Sequence, residues 1–242
     1  MILAGGKGTR LAPYTSVLPK PLMPIGDRAI LEIVIERLGS FGCRDITLCV
    51  GYLSHLIQAV FDQGSRHGVN ITYVREEAPL GTAGPLRLVG ELEDTFLVLN
   101  GDVLTNLDLV ALRDHHKESG ALLTIAVHQR QTKIDYGVIR LTKDDNSGLT
   151  RVSGYEEKPS LEWLVSMGIY VMEKEIVDFI PSDKPFDFPD LVQALLQADE
   201  IVGAYPYDGF WLDIGRHDDY EQAISIWESD SSFFSENSGR VE

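Results

Sequence analysis

The sequence predicts an α/β fold, with a mostly parallel central sheet covered by helices on both faces and an antiparallel hairpin region added in the second half. Two observations carry that prediction. Up to about residue 130, short runs rich in Val, Ile and Leu alternate with helical patterns across short connections. That is the rhythm of parallel strands joined by crossover helices. Beyond that point the rhythm changes to consecutive β-runs around a turn.

The elements follow in order. "MILA" reads as a strand that runs straight into a glycine loop. In "DRAILEIVIERLGSFG" the apolar residues Ile30, Ile33, Val34, Leu38 and Phe41 recur at the spacing of a core-facing helix, with Asp27 as N-cap and Gly42 as stop. "ITLCVGY" reads as a buried strand and "SHLIQAVFDQG" as a helix capped by Ser54. "ITYVRE" is a strand, "EAPLG" a turn, and a helix is expected from about Thr82. "TFLVLNGDV" is a strand ending in polar residues, "NLDLVALRDHHKESG" a helix and "ALLTIAV" a strand. "YGVIRLTKDDNSGLTRVSGYEEKP" reads as a hairpin that turns at Asp144, Asp145, Asn146 and Gly148. "SMGIYVM" is a further strand, with helical stretches expected near 173–180 and 187–198. "FWLDI" is a last strand fragment and "DDYEQAISIWESD" a closing helix. Nothing repeats at a fixed period, and no linker marks a boundary. The order is that of one Rossmann-like domain over 1–230, with halves 1–130 and 131–230. Residues 231–242 lack periodicity and read as a flexible tail.

Composition narrows the partners. Lys and Arg number 21 against 37 Asp and Glu, a formal charge of −16. That argues against a nucleic-acid partner, whose backbone needs a basic footprint. A small phosphorylated ligand is not excluded, because cations can gather locally. No run of about 18 apolar residues is present, so no membrane partner is expected. No signal peptide is readable, and a cytoplasmic location is the expectation. Cys43 and Cys49 sit in apolar surroundings and read as buried structural thiols.

The opening stretch "AGGKGTR" carries chemistry. A strand delivering Gly5, Gly6 and Gly8 lets their amides turn toward one point, and Lys7 and Arg10 add positive charge there. Anions gather where oriented amides and cations coincide. A plain strand-to-helix turn is the alternative reading. The loop matches neither a dinucleotide fingerprint nor a P-loop, which disfavours both classes. Further on, "LPKPLMPIG" places Lys20 between two prolines, on a segment expected to be extended and stiff.

Taken together, "LAGGKGTRL" and "PKPLMPI" resemble the sugar-1-phosphate nucleotidyltransferases, or nucleotide-sugar pyrophosphorylases. The likeness continues through "EEAPLGTAGPL", "LVLNGDV", "YGVI", "YEEKP", "MGIYVM" and "FWLDIG", and it is closest to the mannose-1-phosphate guanylyltransferases. It implies a fold of the nucleotide-diphospho-sugar transferase type, with a nucleotide-binding first half and a sugar-phosphate-binding second half. The implied substrates are a nucleoside triphosphate and a sugar 1-phosphate, with Mg²⁺ as cofactor and a homodimer as a possible assembly. Leu3, Ala4, Gly5, Gly6, Lys7, Gly8, Thr9, Glu76, Gly81, Thr82 and Gly101 are implied to bind the nucleotide. Tyr136, Gly137, Glu157, Lys158, Ser166 and Gly168 are implied to bind the sugar phosphate. "SMG" departs from the Asn-Ala-Gly expected of the guanylyl branch, which leaves the particular sugar open. Relatives often carry residues before "ILAGG" and a C-terminal β-helix domain, so this sequence reads as a catalytic domain alone.

Each matched segment also has a physical job. Asp102 and Asp213 close two apolar strands, and paired carboxylates facing a triphosphate are the hard oxygen ligands Mg²⁺ prefers. For either Asp singly, a turn or cap role stands equally. Glu76 can accept from the donor edge of a guanine, although backbone contacts could also accommodate a pyrimidine. The reaction joins two anions, so positioning and charge neutralisation dominate. Arg10 and the loop amides are assigned to the β- and γ-phosphates, Lys20 to the α-phosphate and Lys158 to the attacking phosphate. No general base is needed, and the six histidines are expected at surface or capping positions. A glycosyltransferase would show Asp-x-Asp where "NGDV" offers one Asp. A non-catalytic sensor tends to lose the charged residues that Arg10, Lys20, Asp102, Lys158 and Asp213 retain.

Overall fold

The computed structural model describes residues 1–143, 148–182, 184–231 and 233–234. Strand β1 (Ile2–Ala4) opens the chain. The short pair β2 (Pro24–Ile25) and β3 (Arg28–Ala29) feeds α1 (Ile30–Ser40), and β4 (Asp45–Val50), α2 (Ser54–Phe61) and β5 (Asn70–Arg75) follow. Next come β6 (Thr95–Asn100), β7 (Val103–Thr105), α3 (Leu109–Ser119) and β8 (Leu123–Lys133). The remainder holds β9 (Gly137–Lys143), β10 (Thr150–Glu157), β11 (Ser160–Glu173), α4 (Phe188–Gln197), β12 (Val202–Tyr207), β13 (Trp211–Asp213) and α5 (His217–Ser229).

Seven strands form one sheet in the order β12-β8-β11-β6-β1-β4-β5. Neighbours are parallel except β11, which runs antiparallel to both β6 and β8. The mostly parallel sheet expected from the sequence is present. The chain steps outward from β1 through β4 and β5, then returns to lay β6 on the other side of β1. Such a switch point opens a crevice at the carboxyl ends of the two strands.

Period-two alternation divides the sheet residues between two cores. Ile2, Ala4, Leu99, Ile169 and Val171 pack with buried residues of α1, α2, α3 and α5. Val98, Tyr170 and Met172 pack with α4 and the 3₁₀ turns Gly84–Leu88 and Lys174–Phe179. Helices therefore cover both faces. α1 contributes most visibly, burying Ile30, Leu31, Ile33, Val34, Ile35 and Leu38. Each such side chain stabilises the fold by about 1.5–3 kcal/mol.

Several local expectations need correction. Asp27 is not an N-cap: it lies with Gly26 (φ +62°) in the β2–β3 turn, and α1 begins at Ile30. Glu32 reaches back instead to accept from the Ala29 N–H at 3.3 Å. Ser54 is the first residue of α2 rather than its cap, entered through Leu53 at φ +52°. The helix expected from Thr82 is only the 3₁₀ segment Gly84–Leu88, since Gly84 and Pro85 open it and extended Val89 ends it. The stretch near 173–180 is likewise 3₁₀. Strand β12 had no sequence signal because Gly203 and Pro206 interrupt it. Proline is tolerated there because β12 is an edge strand.

The expected hairpin is β9 and β10, paired antiparallel. Its predicted turn residues Asp144, Asp145 and Asn146 lie outside the described residues. In the segment read as a tail, Phe233 and Phe234 pack against Phe210, and Phe234 is buried. His116, expected at the surface, is buried between Thr124 (2.7 Å) and Glu173 (3.0 Å), a neighbourhood that periodicity cannot reveal.

Candidate active site

A cleft of about 780 Å³ opens at the β1–β6 switch point. Its floor is the end of each strand and the chain just past it: Leu3 to Gly8 at β1, and Asn100 to Asp102 at β6. The two segments are locked together, Gly101 donating its N–H to the Leu3 carbonyl at 2.9 Å. A Cβ on Gly101 would stand 3.1 Å from that carbonyl, a tight contact to which the neighbouring strand would have to give by a few tenths of an ångström.

Within the loop, Gly8 turns the chain at φ +62°. Its carbonyl accepts from Leu11 N–H (2.9 Å) and Thr15 Oγ1 (2.8 Å). Among the described residues, the amides of Gly6, Lys7 and Gly8 donate no hydrogen bond in the chain. They form a row of open donors, the backbone arrangement that accepts phosphate oxygens. Lys7 and Arg10 line the same cleft, while Thr9 begins the 3₁₀ turn Thr9–Leu11 outside it.

Lys20 corrects the expectation of an extended arm. Pro19 and Met23 are extended, but Lys20–Leu22 form a 3₁₀ turn that buries the lysine. The ammonium pairs with Asp102 Oδ2. The other oxygen, Oδ1, is buried and has no hydrogen-bond partner. Asp213 comes to the same place because β13 pairs with β7, setting Asp213 opposite Val103, and Ile214 donates to the Asp102 carbonyl at 3.0 Å. Burial pushes the Asp213 carboxyl above the usual carboxylate range and the Asp102 charge adds to this, against the opposing pull of Lys20 and Arg10. A Cβ on Gly215 would stand 3.5 Å from both Arg10 and Asp213, which places that guanidinium at the edge of the pair.

Two adjacent carboxylates, one with an orphaned buried oxygen, fit a divalent cation: hard donors in a partly filled shell that phosphate oxygens and water would complete. Asp102 and Asp213 are the residues that would hold it.

Glu76, Gly81 and Thr82 form the far wall. The Glu76 carboxylate accepts from Leu80 N–H at 3.0 Å, and burial raises its pKa against that bond. A side chain on Gly5 would meet Glu76 Oε1 at 2.5 Å, so the glycine loop and this wall are in contact.

The other predicted residues gather in two places. Tyr136, Gly137, Glu157 and Lys158 meet at the base of the β9–β10 hairpin, where Gly137 pairs with Glu157 and Tyr155 donates its hydroxyl to Glu157 at 2.6 Å. Lys158 adopts φ +46°, a left-handed conformation uncommon for a side-chain-bearing residue. These four are not in the cleft wall. Ser166 and Gly168 lie where the β8–β11 register shifts, and Gly168 (φ +72°) is pressed against Asn100. Trp211 Nε1 donates to the Met167 carbonyl at 3.0 Å, tying this kink to the strand that carries Asp213. Sequence reasoning missed Asn100, Tyr52, Arg75 and Trp211. The first three stand at or just beyond the carboxyl ends of β6, β4 and β5 and line the cleft, a positional signal that was available once the strands were assigned.

The chain matches the Nucleotidyl transferase family over residues 1–229. It is 37% identical to a UTP--glucose-1-phosphate uridylyltransferase of Synechocystis sp., over 93% of this chain and 62% of that one. It is 34% identical to a mannose-1-phosphate guanyltransferase of Yarrowia lipolytica, over 96% of this chain and 64% of that one. The chain thus spans less than two thirds of the length of these curated relatives. Among solved structures, HddC from Yersinia pseudotuberculosis superposes with a TM-score of 0.72 at 26% identity, covering 93% of this chain and 97% of that one. With a family match over nearly its whole length and relatives above 30% identity, the chain belongs to the Nucleotidyl transferase family.

Proposed function

We propose that the protein transfers a nucleotidyl group from a nucleoside triphosphate to a sugar 1-phosphate, releasing pyrophosphate, and that GTP with mannose 1-phosphate is its preferred pair. The observation that carries the reading is the convergence at one sheet edge of open glycine amides, Lys7, Arg10, Lys20 and the Asp102–Asp213 pair. Both reactants are anions, and each of these groups acts on their charge. The amides of Gly6, Lys7 and Gly8 and the Arg10 guanidinium hold the outer phosphates. Lys20 sits one contact from the metal-binding carboxylate, within reach of the α-phosphate. Asp102 and Asp213 would hold Mg²⁺, which would supply electrostatic stabilisation of the negative charge on the phosphates. Glu157 takes sugar hydroxyls and Lys158 the sugar phosphate from the hairpin base, and Ser166 and Gly168 act from the β11 kink. The attacking phosphate is already ionised at neutral pH, so the residues orient rather than deprotonate.

The guanine preference draws support from the Glu76 acceptor at the cleft wall and from the Yarrowia lipolytica relative. A second reading, UTP with glucose 1-phosphate, is favoured by the Synechocystis relative. Pyrophosphate release across GTP, UTP, dTTP, CTP and ATP, each with mannose and glucose 1-phosphates, decides between them. A GTP and mannose optimum is expected. An optimum with UTP and glucose overturns the guanylyl assignment, and silence across the whole panel overturns the reaction itself.

A further inference from the structure

The wall that Glu76, Gly81 and Thr82 contribute to the cleft belongs to a stretch, Glu76 to Ala83, that joins no strand or helix. Its tip, Glu77 to Pro79, is exposed. Such a segment has the freedom of a loop unless something outside it holds its ends. One end is held from within, by Glu76 Oε2 on the Leu80 N–H.

The other end is held from a remote element. Asp187, immediately before α4, accepts at Oδ1 from both the Thr82 N–H (2.8 Å) and the Thr82 hydroxyl (3.1 Å), across 105 residues of sequence. The Thr82 hydroxyl oxygen in turn accepts from the Phe188 N–H at 2.9 Å. Around this knot, Phe186 donates to the Leu80 carbonyl (2.8 Å), and its own carbonyl accepts from Ala83 and Gly84 (3.0 Å each). Gly81 passes so close, at φ +80°, that a Cβ would lie 2.5 Å from the Phe186 carbonyl and 2.9 Å from Asp187 Oδ1. Stacking of Phe188 on Tyr170 of β11, with ring centroids 4.2 Å apart, fixes the knot to the sheet.

We infer that Asp187 is a positioning residue for nucleobase recognition: its carboxylate latches the Glu76–Thr82 wall and thereby sets which base the cleft accepts. The inference rests on the proposed reaction and on this wall facing the base. Asp187 does not line the cleft, so it acts through Thr82. Charge-assisted bonds of this kind are the stronger class, and a preorganised loop binds its ligand without an ordering cost that a loose one would meet.

The test compares Asp187→Ala, Asp187→Asn and Thr82→Val with wild type in pyrophosphate-release assays on the best triphosphate, the next-best triphosphate and the sugar 1-phosphate. Asp187→Ala should raise KM for the best triphosphate about tenfold, and narrow the kcat/KM ratio between the two triphosphates. It should leave kcat and KM for the sugar phosphate within about twofold. Asp187→Asn keeps an oxygen acceptor and should restore most of the discrimination. Thr82→Val keeps the shape, removes both hydroxyl bonds and should reproduce the alanine phenotype if Asp187→Ala does not fold. An unchanged base ratio in the alanine or valine variant, equal loss in the asparagine variant, or matched rises in both KM values overturns the latch. A wild type silent with every triphosphate instead overturns the reaction reading on which it stands.

Discussion

Lys20 and Asp102, 82 residues apart in sequence, form an ion pair at the floor of the cleft, and that pair leaves one buried oxygen of Asp102 without a partner. An ion pair built for stability would satisfy both oxygens, since an unpartnered buried acceptor costs about 1–3 kcal/mol. Asp213 adds a second negative charge beside the first. The cluster thus combines an unpartnered buried acceptor with like-charge repulsion that Lys20 and Arg10 oppose, the usual condition of a site arranged for function rather than for the fold.

Asp213→Asn tests that balance. Removing the charge relieves repulsion with Asp102, so thermal melting without metal should stay level or rise by a degree or two. Turnover should fall at least a hundredfold, and Mg²⁺ should no longer raise the melting temperature with nucleotide present. A variant that melts lower yet turns over normally would remove Asp213 from the site.

Gly168→Ala should be costly. The residue sits at φ +72°, and a methyl group would lie 2.5 Å from Asn100 Nδ2. A loss of about 1–3 kcal/mol is expected in urea unfolding. A loss below about 0.5 kcal/mol would show that the β11 kink absorbs the side chain.

Trp211→Phe removes the bond to the Met167 carbonyl and keeps most of the ring. About 1 kcal/mol of stability should be lost, with KM for the sugar 1-phosphate rising severalfold and KM for the triphosphate unchanged. The reverse pattern would detach Trp211 from the sugar side.

Cys49 gives a pH-dependent readout. Burial pushes its thiol up to about 12, and burial also raises that of Cys43. A disulfide-exchange reagent at pH 8 should label Cys49 only after denaturation, because the thiolate is the reactive form. The unfolded chain ionises this thiol near 9 and the folded chain near 12, so Cys49 contributes its stabilisation below about pH 9 and loses it as pH rises across that window. Rapid native labelling of Cys49, followed by mass spectrometry, would contradict its burial.

Most of the sheet was legible because buried strands leave apolar runs that survive any local irregularity, as in "ITLCV" and "TFLVLN". Asp102 was legible for the same reason, standing just past such a run. What escaped depends on contacts distant in sequence. No periodicity marks β12, which exists through pairing with β8, and none reveals the His116–Glu173 contact or the Trp211–Met167 bond. Lys20 was found by its prolines but its geometry was misread, because two prolines permit a single 3₁₀ turn as readily as an extended arm. Asp27 failed as a cap because a two-residue hairpin intervened before the helix.

The β7–β13 pairing has a consequence in time. Asp102 emerges well before Asp213, and that short antiparallel contact, with the Ile214 N–H bond to the Asp102 carbonyl, sets them side by side. Pairings this distant form late in folding. A nascent chain would thus complete the Gly5–Gly8 loop well before Asp213 could join Asp102, so the two carboxylates come together only after all seven strands of the central sheet have been made.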